Sequence, residues 1–223
     1  MIKLMSFFKR KPDMSVEAFQ EYWRTKHADV VVKLPGIQRY VQSHTLLSGY
    51  RKGEPVYDGV AEVWVEDTQV LRAQADTPEY AAVRADEPNF IDLSTMGSII
   101  TQEHTIKAES VPPNAVKNME FVTHRADLSI EAFQQHWREV HGPLGAAIPV
   151  VRRYVQSHTR LSAYRAGKTP IYDGVAITWF ADTQAMRTST TLPEYTATRA
   201  DEANFIDGTK LPFIITREHV IVG

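Results

Sequence analysis

Among its 223 residues the chain has no cysteine. Disulfides, thiolate-held zinc, iron–sulfur clusters and a cysteine nucleophile are therefore excluded, and no oxidising compartment is required. The expected location is cytoplasmic. No apolar run approaches the roughly 18 residues that cross a bilayer, so no membrane partner is expected. Charge of one sign is absent as well. The 25 basic and 27 acidic side chains are interleaved to a net charge of −2, which leaves no basic face for nucleic acid or acidic lipid. The 11 glycines form neither a phosphate-cradling loop nor a dinucleotide fingerprint, and there is no Gly-x-Ser-x-Gly elbow. Nucleotide-dependent chemistry is disfavoured. What remains, 43% hydrophobic and 23% charged residues, is the composition of a globular chain.

The positive signal is internal repetition. Tyr40-Val41-Gln42-Ser43-His44-Thr45 returns as Tyr154-Val155-Gln156-Ser157-His158-Thr159, an offset of 114. Ser15, Glu17, Phe19, Trp23, Arg24 and His27 return as Ser129, Glu131, Phe133, Trp137, Arg138 and His141 at the same offset. One residue inserted near Gly167 moves the offset to 115 for the remainder, so Tyr57-Asp58-Gly59 matches Tyr172-Asp173-Gly174. A turn is where a length change is tolerated. The repeats are read as 1–108 and 116–223, joined by a semi-rigid linker over 109–115 that contains Pro112-Pro113. Met1 to Phe8 resemble an export signal without a cleavage site. The matching internal Lys117, Met119 and Phe121 mark that start as a structural strand kept in the mature protein.

Each repeat reads as strand–helix–strand–strand–helix–strand. In the first, strands are expected over 2–9, 38–46, 57–66 and 98–107. Ser15 is placed to cap a helix, with Met14 and Phe19 as its hydrophobic staple. A second helix starts at Thr77-Pro78. Two helices cover one face of a four-stranded antiparallel sheet. Its other face needs a partner, and the cheapest is a copy of itself. The expected fold class is α+β, with two βαββαβ repeats packing sheet to sheet as a pseudo-symmetric sandwich or barrel, a pseudo-dimer within one chain with scope for further homodimerisation.

Six of the eight histidines form repeat pairs: His27 with His141, His44 with His158, and His104 with His219. Phe19, Trp23 and His27 lie four apart on one helical face, as do Phe133, Trp137 and His141. Tyr40, Gln42 and His44, like Tyr154, Gln156 and His158, share one side of a strand. Ionisable imidazole and phenol groups beside aromatic walls suit acid/base work on an apolar ligand. The competing reading makes them satisfied polar groups of a core. His104 reads as a strand residue with cross-strand structural bonds, His124 and His136 as surface residues, and Asp86-Glu87 and Asp201-Glu202 as solvated acids. Histidine spacings of 17 and 60 match no metal-ligand motif, so no metal is expected.

The run of Lys9 or Lys11, Pro12, Ser15, Glu17, Phe19, Trp23 and His27, followed by Arg39-Tyr40-Val41 and His44, resembles the EthD-like proteins of the dimeric α+β barrel superfamily, in tandem form. The second copy has Ala126 for Pro12, and its His141-Gly142-Pro143 is similar to the family's His-x-Pro segment, where the first copy has His27-Ala28-Asp29. The resemblance implies an α+β fold of two ferredoxin-like βαββαβ repeats packing sheet to sheet as an intramolecular dimeric α+β barrel, with a pocket between helices and sheet. It also implies a choice among the activities of related barrels: cofactor-free oxygenation, dehydration, cyclisation, decarboxylation, isomerisation or haem chemistry. The resulting expectation is a lyase or isomerase without a bound cofactor, acting on a hydrophobic aromatic or polyketide-like small molecule. His27 and His141 are its general acid/base groups, Tyr40 and Tyr154 polarise an oxygen, and His44 and His158 complete the relay. Trp23, Trp137, Phe19, Phe133, Gln42 and Gln156 contact the substrate. The alternatives are a cofactor-free monooxygenase on a phenol and a non-catalytic binding protein of a degradation pathway.

Overall fold

A computed structural model describes all of residues 1–223. It divides into two compact units, one of Met1–Ile100 with Glu218–Gly223 and one of Thr101–Arg217.

In the first unit, β1 (Ile2–Arg10) leads to α1 (Val16–Tyr22), whose N-terminus is capped by the Ser15 hydroxyl accepting from the Ala18 N–H at 3.1 Å. The helix then widens into a π-helical turn over Trp23–His27 before resuming as α2 (Ala28–Val31). Strands β2 (Arg39–Thr45) and β3 (Gly59–Val65) follow, then α3 (Thr68–Ala75), α4 (Pro78–Asp86) and β4 (Ile91–Ala108). β3 is central, antiparallel to β1 with Phe8 opposite Gly59 and to β2 with His44 opposite Gly59. The second unit repeats the plan. Its elements are β5 (Val116–Val122), α5 (Ile130–His136), a π-helical turn at Trp137–His141, α6 (Gly142–Ala146), β6 (Val151–Thr159) and α7 (Leu161–Arg165). They are completed by β7 (Gly174–Phe180), α8 (Thr183–Ser189), α9 (Pro193–Glu202) and β8 (Phe213–Val222).

The hydrogen-bonded strand order is β1-β3-β2-β8-β5-β7-β6-β4 and closes on itself. This is the α+β architecture of two ferredoxin-like repeats in one eight-stranded barrel. Two details differ from expectation. Short helices α3 and α8, capped by Asp67 and Asp182, add to the βαββαβ plan. Strand β4 starts at Ile91 instead of 98, because Ile91 is anchored in the core and the Thr95 hydroxyl already accepts the Lys9 N–H at 3.0 Å.

The pleat separates two chemistries. On the helix side of the first unit, Phe8, Phe19, Trp23, Phe90 and Ile91 form an apolar cluster, mirrored in the second by Val122, Phe133, Trp137, Phe205 and Ile206. Aromatic rings meet edge-on or tilted there, with centres 5.0 to 6.2 Å apart. On the opposite side of the first sheet, Glu62 is 1% exposed and binds the Lys3 ammonium and the Ser43 hydroxyl, each at 3.0 Å. A buried carboxylate persists only with such partners. At the corresponding place the second repeat has Ile177, and the Ser157 hydroxyl is left without a partner.

Candidate functional site

The π-helical turn fixes the geometry of the site. Its Ala28 N–H reaches back five residues to the Trp23 carbonyl, and that same carbonyl accepts from Gln42 Nε2 at 2.8 Å. A carbonyl can only accept, so the nitrogen end of the Gln42 amide must face it. The same nitrogen donates to the Tyr40 hydroxyl at 2.9 Å, and Trp23 Nε1 donates to that oxygen at 3.2 Å. Gln42 Oε1 is thereby turned to His44 Nε2 at 3.0 Å. Because an amide oxygen cannot donate, Nε2 must carry the imidazole proton. In the neutral ring Nδ1 is then the bare nitrogen. The second unit repeats this chain with Gln156 Nε2 at 2.7 Å from the Trp137 carbonyl and 3.0 Å from the Tyr154 hydroxyl, and His158 Nε2 at 3.0 Å from Gln156 Oε1.

Each of these histidines lies flat on an indole, His44 on Trp23 and His158 on Trp137, with ring centres 4.4 Å apart and planes 5° from parallel. A further histidine approaches each. His219 meets His44 edge-on at 4.6 Å, and His104 meets His158 at 4.6 Å. Register explains the latter: on β4, Gln102 lies opposite His158 and His104 opposite Gln156, so all four share one side of the sheet. Burial pushes His44 down to about 2, helped by His219 and Arg24. It pushes His158 down to about 3, helped by His104 and Arg138. His104 is lowered by burial and by Arg138. All three are therefore neutral at pH 7. His158 is 2% exposed, and its Nδ1 has no hydrogen-bond partner.

A cavity of about 410 Å³ opens beside this second set, within the second unit. Gln102 and His104 of β4, Gln134 and Arg138 one turn apart on the helix, His158 at the end of β6, and Arg160 and Arg165 around α7 line it. Leu161 is its one aliphatic lining residue.

Of the residues singled out in the sequence, the structure brings Trp23, Tyr40, Gln42 and His44 into one hydrogen-bonded, stacked group, and likewise Trp137, Tyr154, Gln156 and His158. Tyr40 and Tyr154 are 1% and 3% exposed, and burial raises both hydroxyls against the lowering by their amide and indole donors. Phe19, Phe133, Trp23 and Trp137 are core residues, none more than 1% exposed, and only His158 of the expected site residues touches the cavity. His27 and His141 stand apart from the relay. Each is held through Nδ1 by a carboxylate, His27 by Asp86 at 2.8 Å and His141 by Asp201 at 3.1 Å, with Phe90 or Phe205 against the ring. Burial lowers both histidines more than those carboxylates raise them.

Asp86 and Asp201 are thus not solvated acids. Burial raises each, but hydrogen bonds outweigh it: Tyr22, His27 and Asn89 hold Asp86 below the usual range, and Asn204, His136 and His141 hold Asp201 there. His124, expected at the surface, binds Asp173 at 2.6 Å. His104 and the arginines of the cavity are the site residues that sequence reasoning passed over. For His104 the available signal was its repeat pairing with His219. Arg138 and Arg165 carried the same signal through Arg24 and Arg51, and Arg160, opposite Leu46, carried none. No group of three or more metal-ligating side chains gathers in the chain, and no helix is long and apolar enough to cross a membrane.

Comparison with known proteins gives the following. A family model described as the EthD domain matches residues 11–94 and again 125–209. No curated protein matches the sequence. Among solved structures, an anthrone oxidase-like protein superposes with a TM-score of 0.66 at 11% identity, over 99% of this chain and 92% of that one. A protein of Lactobacillus acidophilus NCFM assigned as a monooxygenase gives 0.59 at 12%, over 98% and 94%. One assigned as a chlorite dismutase gives 0.58 at 12%, over 98% and 95%. At such identities the likeness is one of fold.

Proposed function

Because this chain belongs to the EthD-domain family in both of its halves, we propose that it is an enzyme acting on a small phenolic or enolisable molecule, which it deprotonates for direct reaction with dioxygen. The cavity floored by the neutral His104–His158 pair carries this reading. The names of the anthrone oxidase-like and monooxygenase-assigned structures support oxygenation over the lyase or isomerase chemistry expected from sequence.

His104 is half-buried and lines the cavity, so it is the group that meets substrate. Its neutral ring takes the proton from an activated CH₂ or its enol. His158, with Nε2–H committed to Gln156, offers bare Nδ1 to the imidazolium that results. The carbanion or phenolate transfers an electron to O₂, the two radicals couple through a C–O bond, the His104 imidazolium returns its proton to the peroxide so formed, and the hydroperoxide loses water to leave a carbonyl. The balance is CH₂ plus O₂ giving C=O plus H₂O. The substrate supplies all four electrons, and no separate reductant enters. His104 is the catalytic base in this scheme. His158, Gln156 and Tyr154 are positioning residues, and His141 holds the helix end through Asp201.

An oxygen electrode with a panel of anthrones and hydroxynaphthalenes tests the proposal. The expected result is one O₂ consumed per carbonyl formed, with His104→Gln lowering kcat by roughly 10²-fold or more at little change in KM. Turnover without oxygen uptake would return the assignment to a lyase or isomerase. Binding without turnover would make the chain an accessory protein.

A further inference from the structure

The cavity's charge narrows the substrate class further, an inference that rests on the functional reading above but is tested apart from it. Arg138, Arg160, Arg165, His104 and His158 line the site, and no carboxylate does. Arg160 and Arg165 are in no ion pair. Arg138 is paired only with its neighbour Glu139, in a bridge whose side chains are 43% and 50% exposed and therefore weak. Arg160 follows β6 in extended conformation, φ −65° and ψ 135°, so it falls on the same side of the strand as His158. Three cations gathered around an opening, facing no built-in anion, carry unspent Coulomb attraction for one.

The repeat makes the same point independently. At the ten corresponding positions the other copy has Leu46 in place of Arg160 and Arg217 in place of Gln102. Arg24 and Arg51 stand at the places of Arg138 and Arg165, so that copy also has three arginines, one of them moved. The number of arginines is the same in both copies.

We propose that the second unit's cavity binds an aromatic hydroxy acid, with the carboxylate held by Arg160 and the neighbouring guanidiniums and the hydroxylated ring placed at His104. Guanidinium forks match a planar carboxylate in two parallel hydrogen bonds. A volume of about 410 Å³ lies at the lower end of small-molecule sites, enough for one or two fused rings.

Calorimetric titration of the full chain with 1-hydroxy-2-naphthoate and with 1-naphthol, its uncharged counterpart, isolates the carboxylate. The acid is expected to bind at least tenfold more tightly at low ionic strength, with the advantage shrinking as salt is added. Arg160→Gln should weaken the acid at least fivefold and leave the naphthol unchanged, and Arg160→Lys should recover part of the loss. Arg160 has no structural ion pair, so these variants should fold, which circular dichroism checks. Equal binding of the two probes, or an acid affinity indifferent to Arg160→Gln and Arg165→Gln alike, would overturn the inference. Charge-selective binding without oxygen uptake sustains it while removing the oxygenase reading. Oxygen uptake with neutral phenols and no selectivity does the reverse.

Discussion

The amide of Gln156 decides the protonation of His158, its neighbour on the same face of the strand. With its nitrogen committed to the Trp137 carbonyl, its oxygen fixes His158 as the Nε2–H tautomer, and burial keeps that ring neutral. Neutrality has a thermodynamic consequence. Below about pH 6.5 the unfolded imidazole takes up a proton that the native His158, pushed down to about 3, does not. The unfolded state then binds more protons, so stability falls as pH falls through the unfolded value. His44, down to about 2, acts in the same direction. Glu202 opposes them. Raised to about 7 by burial, with Glu120 and Asp201 adding to the rise against Arg199, it favours the native state as pH drops from 7 toward the unfolded carboxyl value. In denaturant melts between about pH 4.5 and 6, His158→Gln should flatten the stability slope by about 1.4 kcal/mol per pH unit relative to the parent. An unchanged slope would mean that His158 is charged in the native protein.

Helix α1 and its counterpart α5 were legible down to their capping serines, since Ser15, Phe19 and Trp23 act through neighbours in the chain. The π-helical turns were not. Nothing in Trp23-Arg24-Thr25-Lys26-His27 distinguishes a widened turn from an ordinary one, because the extra residue is held by Gln42 from a distant strand. Strand starts carry the matching constraint. A methyl group on Gly174 would lie 2.6 Å from the Ser157 carbonyl oxygen and 2.6 Å from the Trp137 indole. Gly59 has the same indole, that of Trp23, at 2.3 Å. These glycines leave room for the ring on which each relay histidine stacks. Gly174→Ala should destabilise the fold by about 1–3 kcal/mol, as overpacking does, and displace Trp137 and His158 together, visible as a change in indole fluorescence. A neutral substitution would show that the indole is not seated against the strand.

At the scale of the whole chain, the sequence repeat and the compact unit are not coextensive. The first unit ends with Glu218–Gly223, from the far end of the chain, and the second begins at Thr101, inside the first repeat. Strands β4 and β8 each cross that division. His104 therefore stands beside His158 although the two belong to different copies of the repeat, a pairing that local periodicity cannot reveal. The fold class was readable from repetition and alternation. The cavity was not, because its arginines look like any solvated charge until β4 is laid against β6. A fragment of residues 1–108 lacks the strand end that completes its own unit. Expressed alone, it should associate as a homodimer in which each copy donates the end of β4 to the other, as measured by light scattering after gel filtration. A folded monomer would show that the strand exchange is dispensable.

Behind His104 lies a neutral imidazole with an uncommitted nitrogen, that of His158, and ¹⁵N-detected NMR of histidine-labelled protein observes that state directly. The prediction is that His158 remains the Nε2–H tautomer across roughly pH 5 to 8, without titrating near the ordinary histidine value, and that its Nδ1 resonance shifts when 1-hydroxy-2-naphthoate is added. A His158 that protonates near the ordinary value, or that carries its proton on Nδ1, would contradict it.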